Sequence, residues 1–77
     1  MKFDAKEVID LFPKIKLGDK KAKLMIMGDD LIQISPSGKI ERIIDANIIE
    51  CRKGKKVWVE LEVVKVKLID KGVENGN

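Results

Sequence analysis

The chain has 77 residues, enough for one domain with a thin core, since a chain of this size buries only about 60–65% of its unfolded surface. Charged residues make up 38% of it, well above the usual ~25%, and the dense Lys and Glu content is typical of proteins from hot environments. The net charge of +3 is compatible with acidic partners but excludes the charge density of a chromatin protein.

The first predicted element is a short helix that begins after Asp4 and ends at or before Phe12. Asp4 and Glu7 have the spacing of a capping box, and Phe3 before the cap can pack on the first apolar residue of the helix. Pro13 stops the helix. The apolar stripe expected to face the core consists of Val8, Leu11 and Phe12.

From Lys14 onward the apolar period changes to two, which predicts β structure. A short extended segment (14–17) is followed by five main strands at 22–27, 31–34, 39–44, 48–52 and 57–69. Asp45-Ala46-Asn47 is interpreted as a turn. The globular domain is expected to span 1–70, with a frayed tail at 71–77.

In the last strand, 57–69, the apolar residues occupy odd positions at first and even positions afterwards. Val57, Val59, Leu61 and Val63 share one parity, and Val64, Val66 and Leu68 take the other. Such a change indicates a β-bulge or a barrel corner. We therefore predict a mainly β (α+β) fold, in which the N-terminal helix precedes a five-stranded antiparallel meander that closes into a small barrel.

The segment that joins the last two strands is rich in cations. With a loop at Lys53-Gly54-Lys55, Cys51 faces Val57 and Ile49 faces Val59, so both are expected in the core. Trp58 then lies on the less buried face, opposite Glu50 and two residues from Glu60. Two carboxylates beside an indole disfavour a nucleic-acid contact, because each repels phosphate.

Two basic clusters are candidate contacts for anions or nucleic acid: Lys14, Lys16, Lys20, Lys21 and Lys23 around the first turn, and Arg52, Lys53, Lys55 and Lys56 at the hairpin. A solvated turn is the favoured interpretation of the second cluster. A solvated edge is favoured for the first, since lysines also protect edge strands from aggregation.

Trp58, Met25 and Met27 form the candidate partner surface. Met25 and Met27 are out of phase with Leu24 and Ile26, so they are expected under the helix or in a subunit contact. Cys51 is interpreted as a core residue.

Catalysis is disfavoured by the residue inventory, since the chain has no His and no Tyr. Ser35 and Ser37 have no base at motif spacing, and no phosphate loop, zinc spacing or nucleotide fingerprint is present. We expect no enzyme activity, no catalytic residue, no metal site and no cofactor. A single cysteine, and an N-terminus without signal-peptide or anchor character, favour the cytoplasm.

The segment DDLIQISPSGKIERIIDANIIECRKGKK (29–56) resembles the core hairpins of PH-like and GRAM-like domains. The resemblance lies in the D-x-L-I phrase, the Gly-bearing turn and the aliphatic spacing from Ile44 to Cys51. It implies a partly open barrel that acts as an adaptor. Those domains end in a C-terminal helix, which this chain lacks the residues to form, so an Sm-like or SH3-like small barrel is an equal alternative.

The function favoured by these features is that of a non-enzymatic binding or adaptor module that acts through protein contacts and self-associates, with a homodimer as the expected form. The alternative is a sequence-nonspecific nucleic-acid-binding protein that uses the lysine-rich turns. No membrane span is expected.

Overall fold

The computed structural model describes residues 3–70, with the backbone alone for Asp70. Over that range the chain forms one short helix and five strands: α1 (Ala5–Ile9), β1 (Ile15–Leu17), β2 (Lys23–Met27), β3 (Asp30–Ile34), β4 (Ile40–Lys53) and β5 (Lys56–Asp70). The protein is therefore mainly β, as predicted. The predicted frayed tail, 71–77, lies outside the described residues.

The five strands form one mixed sheet in the order β1-β5-β4-β3-β2. Three pairings are antiparallel, but β1 runs parallel to β5, with Ile15 opposite Val59 and Leu17 opposite Leu61. The predicted antiparallel meander is therefore wrong. Strands β2 to β5 alternate in direction, and the short β1–β2 connection reverses the chain once more, so β1 must run in the same direction as β5.

The sheet curls but does not close into a barrel, which corrects the second part of the fold prediction. Edge strands β1 and β2 approach each other, yet within residues 3–70 no hydrogen-bonded ladder joins them. A gap of about 390 Å³ separates them, lined on one side by Lys16 and Leu17 and on the other by Ala22 and Leu24. The three residues of β1 are too few to complete a barrel wall.

The molecule is elongated, 49 × 22 × 19 Å, because the β4–β5 hairpin runs along its whole length. A strand of fourteen or fifteen residues spans about 46–50 Å at 3.3 Å per residue, close to the longest dimension. The last strand thus extends the molecule and does not turn at a barrel corner.

The helix begins at the predicted cap but is shorter than expected. Asp4 Oδ1 accepts a hydrogen bond from the backbone N–H of Lys6 at 3.0 Å. Of the predicted stripe only Val8 is buried, whereas Leu11 and Phe12 are 40% and 59% exposed. They lie beyond the helix end at Ile9, in the turns that follow it.

One apolar cluster fills the concave side of the sheet below the helix, and β1, β3, β4 and β5 all contribute to it. Its buried members are Val8, Ile15, Leu17, Leu31, Ile43, Ala46 and Leu61. Full burial of an aliphatic side chain of this size contributes about 1.5–3 kcal/mol, so this small set carries much of the stability of so short a chain.

The predicted turn at Asp45-Ala46-Asn47 is wrong, because β4 continues through it as one strand. Ala46 is 3% exposed, in the core opposite Val63. The ladder is irregular from Ile43 to Ala46, and both Ile43 and Ala46 point into the core although they have opposite parity. Val63 and Val66, their partners on β5, therefore lie on the same side of the sheet, so the predicted change of facing is present inside a continuous hairpin. The expectation that Val64 and Leu68 join the core after that change is wrong, since they are 59% and 43% exposed.

The hairpin turn has two residues, Gly54 and Lys55, where the sequence predicted three. Gly54 has φ +62°, and glycine at the first position gives the II′ turn whose twist suits a two-residue hairpin. The shorter turn shifts the pairing by one residue, so that Cys51 faces Trp58 and Glu50 faces Val59. The prediction that Ile49 and Cys51 enter the core is therefore wrong.

Candidate anion-binding site at the hairpin tip

The parallel pairing of β1 with β5 brings the two basic clusters of the sequence together. The N–H of Val59 donates to the C=O of Lys14 at 2.8 Å, which places the start of β1 beside the hairpin tip. A cleft of about 320 Å³ forms there, lined by Lys14, Lys16, Lys53, Lys56, Val57 and Trp58. Four of the nine candidate anion contacts thus line one concave site.

The turn concentrates positive charge at this end of the molecule. Lys53 and Lys56 are directly opposite each other across the hairpin, an arrangement that costs stability unless an anion lies between or above them. Both side chains are exposed. The pair therefore attracts phosphate or carboxylate more strongly than isolated surface lysines do.

Trp58 is half-buried and held in a fixed orientation on the outer face of the sheet. Its Nε1–H donates to Glu60 Oε2 at 3.1 Å, and Lys16 Nζ lies 5.3 Å from the ring centroid. A cation over an indole contributes about 0.5–1 kcal/mol at an exposed site. The two contacts keep the ring at the edge of the cationic cleft.

The register removes one of the two carboxylates that sequence reasoning placed beside the indole. Glu50 is opposite Val59, which packs against the core cluster, so it lies on the other face of the hairpin from Trp58. Glu60 remains close: it is bonded to the indole and lies opposite Lys16 in the parallel ladder.

Cys51 shares the outer face with Trp58 and is half-buried. Burial raises the pKa of its thiol above the ordinary value, and the charge of Glu60 and a hydrogen bond to it raise it further. The thiol therefore stays protonated near neutral pH.

The remaining basic residues lie outside the cleft. Arg52 is opposite Val57 on the other face, and Lys55 occupies the turn itself. Lys20 and Lys21 lie in the β1–β2 connection, where Asp19 Oδ1 accepts a hydrogen bond from the N–H of Lys21 at 2.9 Å. Lys23 is the first residue of β2.

The three residues of the predicted partner surface are not brought together. Met25 and Met27 lie on β2, three strands from β5 in the sheet, and are 42% and 52% exposed. They point away from Leu24 and Ile26, which pack on the core, so they are not under the helix. Met25 is opposite Ile32, which is 1% exposed and outside the main core cluster.

Sequence reasoning missed Glu60 as the anchor of the indole and missed the meeting of the two lysine clusters. The two-residue spacing of Trp58 and Glu60 signals that both lie on one face of a strand. Nothing in the sequence marks the pairing of 15–17 with 59–61, because they are more than forty residues apart.

Among residues 3–70 no helix has the length and apolar character needed to cross a bilayer, and no group of three potential metal-ligating side chains was found. No protein-family model matches the chain, and neither a curated protein nor a solved structure was found to match it. The resemblance to PH-like, GRAM-like or Sm-like domains stays a prediction.

Proposed function

We propose that this protein is a non-catalytic module that binds nucleic acid without sequence specificity through the end of its long hairpin. The observation that carries the proposal is the meeting of Lys14, Lys16, Lys53 and Lys56 around Trp58. Single-stranded nucleic acid is bound by the same combination, cations for phosphates and an aromatic ring for a base.

The distribution of charge supports this assignment. We call Lys14, Lys16, Arg52, Lys53, Lys55 and Lys56 the basic tip. These are six of the sixteen cationic residues, and the segments 14–17 and 51–58 contain no acid. The rest of the chain has ten cationic and thirteen acidic residues, so the positive potential is confined to one end of an elongated molecule.

The position of Lys16 suggests how the site could bind a single strand of nucleic acid. A base that stacks on the exposed side of Trp58 displaces the Lys16 ammonium from above the ring. The displaced cation then remains within reach of the adjacent phosphate. Glu60, by holding the Nε1–H, keeps the ring from rotating during this exchange.

The test is a titration of labelled single-stranded and duplex oligonucleotides between about 50 and 200 mM salt. Four neutralised phosphates give a slope of log Kobs against log salt of about −3 on single strands. Lys53→Glu with Lys56→Glu should abolish binding, and Trp58→Ala should weaken single-strand binding about five- to hundred-fold, since stacking contributes about 1–3 kcal/mol per base.

The control is Lys6→Glu with Lys39→Glu, which makes the same change of charge at two exposed positions away from the basic tip. It should lose only a small part of the affinity. Absence of binding at low salt, or equal losses in both double variants, would contradict the proposal.

A second candidate function, the protein adaptor that self-associates, is favoured by a different observation. Among residues 3–70, ten large apolar side chains are exposed by 38% or more, four of them on β5: Val57, Val64, Leu68 and Ile69. Dispersed apolar residues are normal on a surface, but several on one strand mark a contact.

A further inference from the structure

Strand β5 has a long free edge. On one side β4 covers it, but on the other β1 pairs only with Val59–Leu61. Within residues 3–70 no strand pairs with that edge from Glu62 to Ile69. An unpaired edge presents a row of backbone donors and acceptors on which another strand can be added.

A cleft of about 620 Å³ runs beside this edge, between the end of β1 and the β3–β4 pair. Its apolar lining includes Leu17, Leu61, Val63 and Val66. Its charged lining residues are all acidic: Asp19, Glu41, Glu60 and Glu62. A strand that occupies this cleft therefore needs apolar residues and cations.

The segment of β5 that forms the edge has this composition itself. Residues 62–67 read EVVKVK, three valines with two lysines and one glutamate. We propose that a second copy of this chain docks its own β5 here, antiparallel, about a two-fold axis at Lys65. Val64 has no partner on β4 and is the extra residue of the irregularity, so it is passed over in this ladder as well. Val63 then lies opposite the partner copy's Val66, and Glu62 opposite its Lys67, each pair occurring twice.

This register is favoured by charge. It opposes Glu62 to Lys67 twice and Lys65 to itself once, at the axis. A two-fold axis at Val66 would instead oppose Lys65 to Lys67 twice, and directly opposed like charges destabilise a sheet. Lysines on an edge strand ordinarily prevent pairing. Here the carboxylates of the cleft offset them. The inference rests on the second candidate function and is independent of nucleic-acid binding.

The first test is the mass in solution, by light scattering and sedimentation, up to about 1 mM protein, because a single added strand pair is at the small end of specific interfaces. A dimer is expected. Lys67→Glu should raise its dissociation constant about tenfold, since it reverses two symmetric pairs. The exchange Glu62→Lys with Lys67→Glu should restore it, and Lys39→Glu should have no effect.

The second test fixes the register. In a Cys51→Ser background, Lys65→Cys should give a covalent dimer on mild oxidation, because residue 65 of one copy lies opposite residue 65 of the other, and Lys67→Cys should not. A monomer at every concentration, a dimer indifferent to Lys67→Glu, or a link through Lys67→Cys instead, would overturn the proposal. Lys53→Glu with Lys56→Glu should keep the dimer while nucleic-acid binding is lost, which separates this inference from the first function.

Discussion

Cys51 lies opposite Trp58 on the outer face of the hairpin, and its surroundings determine its reactivity. Burial and the nearby Glu60 raise the pKa of the thiol, so at any pH below that pKa less thiolate is present than in a free peptide. We expect iodoacetamide to alkylate Cys51 slowly at neutral pH, with a pH–rate profile shifted to higher pH than that of a peptide thiol.

Glu60→Gln is the matched variant for this prediction, since it removes the charge and keeps the shape. The profile should then move towards lower pH without returning to that of the peptide, because burial, the largest cause, remains. A profile that does not respond to Glu60→Gln, or one below the peptide value, would contradict the arrangement around Cys51.

On the scale of elements, β5 offers two leucines that test where the core ends along the strand. Leu61 is 1% exposed in the core, and Leu68, beyond the irregularity, is 43% exposed. Leu61→Ala should lower the free energy of unfolding by about 2–5 kcal/mol, the range for buried leucines. Leu68→Ala removes the same atoms and should cost less than about 1 kcal/mol, near the range of surface substitutions.

Urea unfolding followed by the fluorescence of Trp58, the only tryptophan, measures both variants. Circular dichroism of each variant without denaturant shows whether it is folded at the outset. Equal losses would mean that the two leucines have similar surroundings, and the assignment of Leu61 alone to the core would then be wrong.

The hairpin shows why the sequence predicted the strands better than their pairing. The alternation of apolar and polar residues predicted the positions of β2, β3 and β5, since a period-two pattern depends only on neighbouring residues. The facing of Cys51 depended on whether the turn held two residues or three, and a difference of one residue reverses every side chain. The pairing of apolar residues across the predicted hairpin favoured a position of Ile49 and Cys51 in the core. Gly54, together with Ala46 and Ile48, which both face the core, favoured the opposite arrangement.

The candidate site could not be predicted from the sequence, for a related reason. Its lysines and Trp58 could be named as separate features, but their meeting depends on a parallel pairing between distant segments, Ile15–Leu17 and Val59–Leu61. The three-residue turn also assigned Glu50 to the wrong face, so the argument against nucleic acid appeared stronger than the structure supports.

At the scale of the whole molecule, the two proposals together predict a bivalent particle. Pairing of the β5 edges about Lys65 directs the two basic tips away from each other. Val57 is eight residues from that axis, and one of the eight is the extra residue Val64, so the tips are separated by about 50 Å at 3.3 Å per residue.

That separation predicts a threshold in nucleic-acid length. A duplex rises 3.4 Å per base pair, so both tips can bind one duplex only when it exceeds about 15 base pairs. Beyond that length the second contact is intramolecular, and the apparent affinity should rise about a hundredfold. Lys67→Glu, which leaves the basic tip intact, should show no such step. A smooth rise of affinity with duplex length in both proteins would mean that each tip binds independently. Only a fixed pair of sites makes the affinity depend on the distance between them.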